Sequence, residues 1–115
     1  MSDYLKDKNI RLRCKKQYPG AHTHIIIGRV EEENARYIAV KGRTFHFGRI
    51  VDGMRSQVHA GKTMIRIIPW DNIEIIHWLS GKTDWEADFR FDQSGNLVLC
   101  DKTETIIAER RDGME

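Results

Sequence analysis

The side chains best suited to chemistry lie in two short polar segments of the sequence. Trp70 or Tyr37 could stack on a nucleic-acid base, a contact worth ~1–3 kcal/mol. Asn34 and Asn72 could hydrogen-bond the edges of bases, and Arg36 could meet a phosphate. Each has a structural alternative, since Trp70 could be a hydrophobic lid and Asn72 a turn former. These five residues form the predicted nucleic-acid-binding set.

Histidines offer a second kind of chemistry. His22 and His24 form an H-x-H pair, and alternate residues of a strand point to one side. With a third ligand from His46, His59 or His77 they would bind a metal such as zinc. The spacing does not choose among these three, and a polar loop or an exposed strand edge explains the pair more simply. We therefore predict no metal site.

Catalytic motifs are missing from the sequence. It contains no G-x-S-x-G elbow and no phosphate-binding loop, and carboxylate pairs such as Asp84 and Glu86 are common on solvated strands. Cys14 and Cys100 lie far apart on apolar-alternating segments, so we expect buried free thiols rather than a disulfide or zinc ligands. The sequence therefore predicts a protein that is not an enzyme and has no cofactor.

Length and charge limit the remaining functions. The 115 residues suffice for one domain with one core. Nineteen Lys plus Arg against 17 Asp plus Glu leave a formal charge of +2, so any basic surface must be local. No apolar run approaches the ~20 residues that span a bilayer, and M-S-D-Y-L-K-D-K lacks the apolar core of a signal peptide. We expect a cytoplasmic protein without membrane contact.

One stretch in the middle of the chain indicates the architecture most clearly. Its β-branched residues predict a strand over residues 64–68, which Pro69 ends because it cannot donate to a sheet ladder. Residues 71–72 favour a sharp corner, and residues 73–78 predict a second strand. A helix is the rival interpretation, but a mid-segment proline costs about 3 kcal/mol. Such corners are typical of small closed barrels.

The other segments add strands on both sides of this corner. Alternation in the first strand places Arg11, Arg13 and Lys15 on its outer face, as either a phosphate-binding row or an ordinary solvated face. Gly28 suggests a bend or a close backbone approach, and we expect a bulge near Gly42. The remaining predictions are a helix at residues 2–8, strands at 10–15, 25–30 and 36–47, a hairpin tip at 31–34, a hairpin turning at 52–53, a second hairpin at 85–100 and a strand at 103–108.

Together these elements predict an all-β fold. Residues 1–79 would form a small, strongly bent, five-stranded barrel with a short N-terminal helix. Residues 80–115 would add a C-terminal β-hairpin extension to the same domain.

Three segments of this barrel read I-R-L-R-C-K-K, I-I-G-R-V-E-E-E-N-A-R-Y-I-A-V and I-P-W-D-N-I-E-I-I. Their order resembles that of the Sm-like (LSm) family, which makes the predicted barrel Sm/SH3-like. In that family a glycine in a bent strand precedes a hairpin, and a second motif reads roughly I-R-G-x-x-I-x-x-I. The first motif is matched by Gly28 and Val30, and the second by Ile68, Asp71, Asn72, Ile73 and Ile76.

The resemblance implies a homo-oligomeric ring, made by pairing of edge strands, that binds single-stranded RNA near its pore. It would also bring the two segments of candidate residues together at one end of the barrel. Pro69 and Trp70 stand where the family usually has Arg-Gly, and of its hairpin Asp and Asn only Asn34 remains. The acidic residues 31–33 would repel RNA.

A different small barrel supplies the alternative function. I-P-W-D-N-I is also similar to the closing strand of PRC-barrel modules, which implies a protein-interaction or assembly module without nucleic-acid binding. Exposed aromatic residues in the extension, such as Trp85 and Phe89, would then offer a protein partner a sticky face or an edge strand.

Overall fold

The computed structural model describes residues 4–16, 23–47 and 58–108. Within these ranges the chain is all-β, as expected from the sequence, and its β-strands form two antiparallel sheets. The elements are β1 (Asn9–Cys14), β2 (Thr23–Glu33), β3 (Tyr37–Phe47), β4 (Val58–Ala60), β5 (Met64–Pro69), a 3-10 helix (Trp70–Asn72), β6 (Ile73–Trp78), β7 (Phe89–Phe91), β8 (Leu97–Leu99) and β9 (Ile106–Ala108). The predicted turn at residues 52–53 lies outside the described ranges.

The first sheet is built around the long hairpin of β2 and β3. Its strands follow the order β4-β3-β2-β1-β6, and β5 also pairs with β3. Because β2 occupies one edge of β3, β4 and β5 share the other edge. β4 pairs with the end of β3 at Phe45, and β5 pairs with its first part, from Tyr37 to Gly42. A shift of one residue in register separates the two, so β4 and β5 act as one interrupted strand.

Two glycines allow β2 and β3 to approach closely. Gly28 and Gly42 are partners in the ladder, and a Cβ on Gly28 would lie 2.3 Å from the carbonyl oxygen of Lys41. Any side chain here would force the strands apart. This is the close backbone approach that Gly28 suggested. The bulge expected near Gly42 is absent from the β2–β3 ladder, although the register of β3 with β5 and β4 shifts by one residue between Gly42 and Phe45. The register of β2 and β3 shifts instead between Val30 and Glu32.

Both faces of the first sheet are buried in its centre. One face, called the inner face here, carries one core cluster, and the other, outer face carries a second cluster that is covered by the three-stranded sheet β7-β8-β9. Consecutive residues of β2 therefore enter different cores, with Ile26 inside and Ile25 and Ile27 outside. This arrangement explains a run of three buried isoleucines in a strand, because neighbouring strand residues point to opposite faces.

Two details of the predicted barrel were wrong. The strands β5 and β6 end the sheet on opposite sides and are joined by the 3-10 helix, but no ladder pairs them in the described ranges, so no closed barrel is found. Residues 4–8 form turns instead of the expected N-terminal helix. Asp7 has a left-handed φ of 66°, and its N–H donates to the carbonyl of Val30 at 2.8 Å. A left-handed residue cannot continue a helix.

Arginines attach the C-terminal sheet to the outer face of the first sheet. Arg43 donates to the backbone carbonyls of Gly61, Trp85 and Ala87 at 3.0, 3.4 and 3.1 Å, while its guanidinium carbon lies 5.4 Å from the ring centre of Phe45. Arg11 reaches carbonyls of β9 at 3.4 and 3.5 Å. The extension is thus a meander of three strands, which matches the predicted hairpin at 85–100 followed by a strand at 103–108. Among the described residues there is no helix long and apolar enough to cross a membrane.

Candidate functional site

The first predicted segment is a tight turn between β2 and β3. The Oδ1 atom of Asn34 accepts hydrogen bonds from the N–H groups of Arg36 at 2.9 Å and Tyr37 at 3.0 Å. The N–H of Asn34 donates to the carbonyl of Tyr37 at 3.1 Å. An asparagine side chain commonly substitutes for backbone in such turns. The carbonyl oxygen of this side chain is therefore already used by the turn.

The second predicted segment packs directly against this turn. The indole Nε1 of Trp70 donates to the carbonyl of Asn34 at 2.7 Å, and the N–H of Trp70 donates to the carbonyl of Arg36 at 3.2 Å. The Trp70 side chain is half-buried against the inner core cluster. These contacts favour the alternative in which Trp70 is a lid, because its only polar atom is satisfied within the chain.

The five predicted residues come together at one end of the first sheet, but they differ in exposure. Arg36 and Asn72 are exposed, whereas Tyr37 is half-buried and its hydroxyl donates to Glu32 at 3.2 Å. The carbonyl of Asn72 accepts the N–H of Lys15 at 2.8 Å, which adds an exposed lysine to this end. Of the predicted residues, Arg36 and Asn72 face solvent, beside the exposed Lys15 and the exposed acidic residues Glu32 and Asp71.

The predicted basic row of β1 is largely engaged within the chain. Arg11 contacts the Nδ1 atom of His77 at 3.1 Å in addition to the carbonyls of β9. Arg13 forms an ion pair with Glu74 at 3.0 Å. Of this row only Lys15 is fully exposed. The arrangement favours a structural role for Arg11 and Arg13 over a phosphate-binding row.

The acidic residues that follow Val30 also have partners in the chain. Glu31 pairs with Arg29 at 3.1 Å, and Glu33 accepts the N–H of Leu5 at 2.9 Å. With the bond from Tyr37 to Glu32 at 3.2 Å, all three acidic side chains have contacts. Arg29 therefore compensates part of their negative charge, and the N–H of Leu5 binds Glu33 where the N-terminal turns contact β2.

Three histidines form a row across the first sheet. His24 pairs in register with His46, and His46 pairs with His59, while the ring centres of His24 and His46 lie 4.1 Å apart. His22 lies outside the described ranges. In the described part of the chain no three His, Cys, Asp or Glu side chains form a group that could hold a metal ion. His77 lies elsewhere, beside Arg11.

The two thiols differ from each other in burial. Cys14 is half-buried beside the inner core cluster, and this burial raises the pKa of its thiol. Cys100 is exposed, so the expectation that both thiols are buried was wrong for Cys100. Both thiols are free. A raised pKa makes Cys14 a poor nucleophile at neutral pH.

The aromatic residues of the extension are less exposed than the sequence indicated. Trp85 and Phe89 are both half-buried against the outer core cluster, and the ring of Phe89 meets that of Phe45 edge-on with centres 6.0 Å apart. They hold the extension to the first sheet. The sticky face predicted from these two residues is therefore not present in that form.

Most of the exposed large apolar side chains among the described residues lie elsewhere, on the two edge strands of the first sheet. Ile65 and Ile67 of β5 are 60% and 65% exposed, and Ile75 of β6 is 41% exposed. Sequence reasoning did not single out these residues, because alternation shows that two faces exist but not which face the second sheet covers. Each edge strand also has one side without a strand partner in the described ranges.

Comparisons with family models, with curated proteins and with solved structures find no match for this chain. The resemblance to the Sm-like family and the alternative of a PRC-barrel-like module therefore both remain predictions.

Proposed function

We propose that this chain is a self-assembling module in which β5 of one copy pairs with β6 of the next. The observation that carries the proposal is the exposure of Ile65, Ile67 and Ile75 on two strands that each lack a partner along one side in the described residues. Soluble proteins usually protect such edges with charges, prolines or covering loops. Pairing of edge strands would satisfy the open backbone groups and bury the isoleucines.

The two edges are different surfaces, which determines the symmetry of the proposed assembly. A contact between β5 and β6 is head-to-tail, so it generates a closed ring or an open filament rather than a simple two-fold dimer. The 3-10 helix holds the two strands at a sharp corner within each copy. The rotation between neighbouring copies decides the outcome, because a ring forms when the repeated rotation closes and a filament forms when it does not.

Native mass measured by light scattering tests this proposal. We expect the native protein to contain several copies, and Ile67→Lys or Ile75→Lys to be monomeric because each places a charge in the contact. An equimolar mixture of the two variants should form dimers, since each retains the edge that the other lacks. Ile106→Lys, at an exposed position of β9, is the matched control and should keep the native mass.

Other results would contradict the proposal in distinct ways. A monomeric native protein would overturn assembly itself. If Ile75→Lys kept the native mass while Ile67→Lys lost it, the contact would be a symmetric one between two β5 strands. Circular dichroism of each variant should match that of the native protein, because the substituted side chains are exposed.

Binding of single-stranded RNA is a second candidate function. It is supported by the exposed side chains of Arg36, Asn72 and Lys15 at one end of the first sheet. In a ring this group would repeat around the axis and form a basic surface for phosphates. We expect oligo-U or oligo-A to bind at low salt and to bind more weakly in Arg36→Ala. Lys62→Ala, at an exposed site on the β4–β5 connection, serves as the control. Absence of binding to both oligonucleotides at low salt would reject this candidate.

A further inference from the structure

A cavity of about 670 Å³ lies between the first sheet and the start of the extension, away from the 34–37 turn. Its volume is within the ~300–1,000 Å³ typical of sites for small organic ligands. The cavity is lined by Asp7, Lys8, Asn9, Arg29, Trp78, Leu79, Gly81, Thr83 and Trp85.

The lining combines two indole side chains with two cations. Trp78 and Trp85 provide aromatic surface, and Lys8 and Arg29 provide positive charge against the single carboxylate of Asp7. Tyr4 stacks on Trp78 with ring centres 4.7 Å apart, yet Trp78 remains 53% exposed. Aromatic surface beside positive charge suits a ligand that is planar at one end and anionic at the other.

Trp85 adds a separate observation. Its Nε1 atom is buried and has no hydrogen-bond partner among the described residues. A buried donor without a partner costs about 1–3 kcal/mol, and the indole N–H of a buried tryptophan usually finds an acceptor. Because this Nε1 atom has almost no accessible surface, it is not open to a ligand, and Trp85 lines the cavity with its other atoms.

Arg29 keeps binding capacity although it contacts Glu31. That contact uses one terminal nitrogen, at 3.1 Å from the carboxylate. A guanidinium carries five N–H donors, so others remain for an anion. Lys8 is exposed, and its ammonium group can adjust to the position of a phosphate or carboxylate.

We propose that this cavity binds a nucleoside monophosphate, with the base against the tryptophans and the phosphate near Lys8 and Arg29. The proposal does not depend on self-assembly, because one copy supplies every residue that lines the cavity. It also differs from the RNA candidate, which uses Arg36 at the turn between β2 and β3.

Tryptophan fluorescence and calorimetry with adenosine monophosphate (AMP) test the proposal. We expect saturable binding of AMP to the native protein, tighter than binding of adenosine or of inorganic phosphate alone. Lys8→Ala should weaken AMP binding about tenfold, since it removes a hydrogen bond to a charged group. Trp85→Phe should also weaken it, while Lys16→Ala, an exposed lysine beyond the opposite end of β1, should leave it unchanged.

A second arm distinguishes the source of the nucleotide. Displacement of AMP by oligo-A, in the native protein but not in Lys8→Ala, would make the ligand a nucleotide within a strand. Failure of oligo-A to displace AMP would make it the free nucleotide. The proposal is overturned if AMP does not bind saturably, or if Lys8→Ala and Trp85→Phe both bind AMP as tightly as the native protein. The monomeric Ile67→Lys variant should retain AMP binding, which separates this test from that of assembly.

Discussion

Two tryptophans of this protein occupy similar depths but have different surroundings. Trp70 is half-buried at the end of the sheet that the sequence indicated, and its indole N–H is satisfied by Asn34 at 2.7 Å. Trp85 is half-buried beside an open cavity, and its indole N–H has no partner among the described residues. The comparison shows that the tryptophan that the sequence singled out, Trp70, is fixed by hydrogen bonds within the chain. Trp85, which the sequence did not single out as a ligand-binding residue, is the one that borders a cavity.

The largest expected effect comes from disrupting the close pairing of β2 and β3, because the first sheet, against which both tryptophans pack, is built on that pairing. Gly28→Ala would place a Cβ 2.3 Å from the carbonyl oxygen of Lys41, in backbone that cannot move aside. We expect destabilisation of about 4 kcal/mol or more, measured by urea unfolding or seen as loss of soluble protein.

Gly81→Ala is the matched control for this prediction. Gly81 lines the cavity, but a Cβ there would meet nothing within 4 Å. Its stability should stay within about 0.5 kcal/mol of the native value. Equal stability of the two variants would mean that the close approach of Gly28 and Gly42 does not hold the hairpin together.

The difference between the tryptophans themselves gives an intermediate effect. Trp70→Phe removes the donor to Asn34 and should lower the free energy of unfolding by about 1–2 kcal/mol. Trp85→Phe removes a donor that has no partner among the described residues, so it should cost only the packing of the indole against the outer core cluster, and its loss should be smaller than that of Trp70→Phe. Urea unfolding followed by circular dichroism measures both. A larger loss in Trp85→Phe would show that its N–H has a structural partner.

The smallest effect concerns pH and the loop that supports the Trp85 region. Burial by itself would raise the pKa of Asp101, but hydrogen bonds from the backbone of Thr105 and Asp84 and from the hydroxyls of Thr105 and Thr103 outweigh it, so the pKa is lowered from 3.8. A lowered pKa in the folded state means that ionised Asp101 stabilises the fold at neutral pH. This stability is lost as the pH falls below about 4 through the folded pKa.

Unfolding at neutral and acidic pH checks the role of Asp101. Asp101→Asn should be slightly less stable than the native protein near pH 7, and the difference should shrink toward pH ~3. Asp71→Asn, at an exposed site on the 3-10 helix, is the control and should show no such convergence. Parallel curves for Asp101→Asn and the native protein would indicate that the Asp101 carboxylate does not contribute through its charge.

Much of the strand pattern could be predicted because it depends on local chemistry. Pro69 ends β5, residues 71–72 form the corner, and the alternating segments after residue 84 form β7, β8 and β9. The meeting of the two candidate segments was also predicted, through the resemblance to the Sm-like family. Two features could not be predicted, because they depend on contacts between residues that are distant in the sequence. These are the exposure of Arg36 and Asn72 and the hydrogen bond between Trp70 and Asn34.

The sequence by itself determined that the described part of this protein is all-β, where its strands turn and that Gly28 suits a close backbone approach, because backbone preferences and alternation are local properties. Only the tertiary structure decided that the second sheet covers part of the outer face and leaves Ile65 and Ile67 of β5, on the same face, exposed. It alone also created the cavity beside Trp85, because cavities form where elements distant in the sequence fail to fill the space between them.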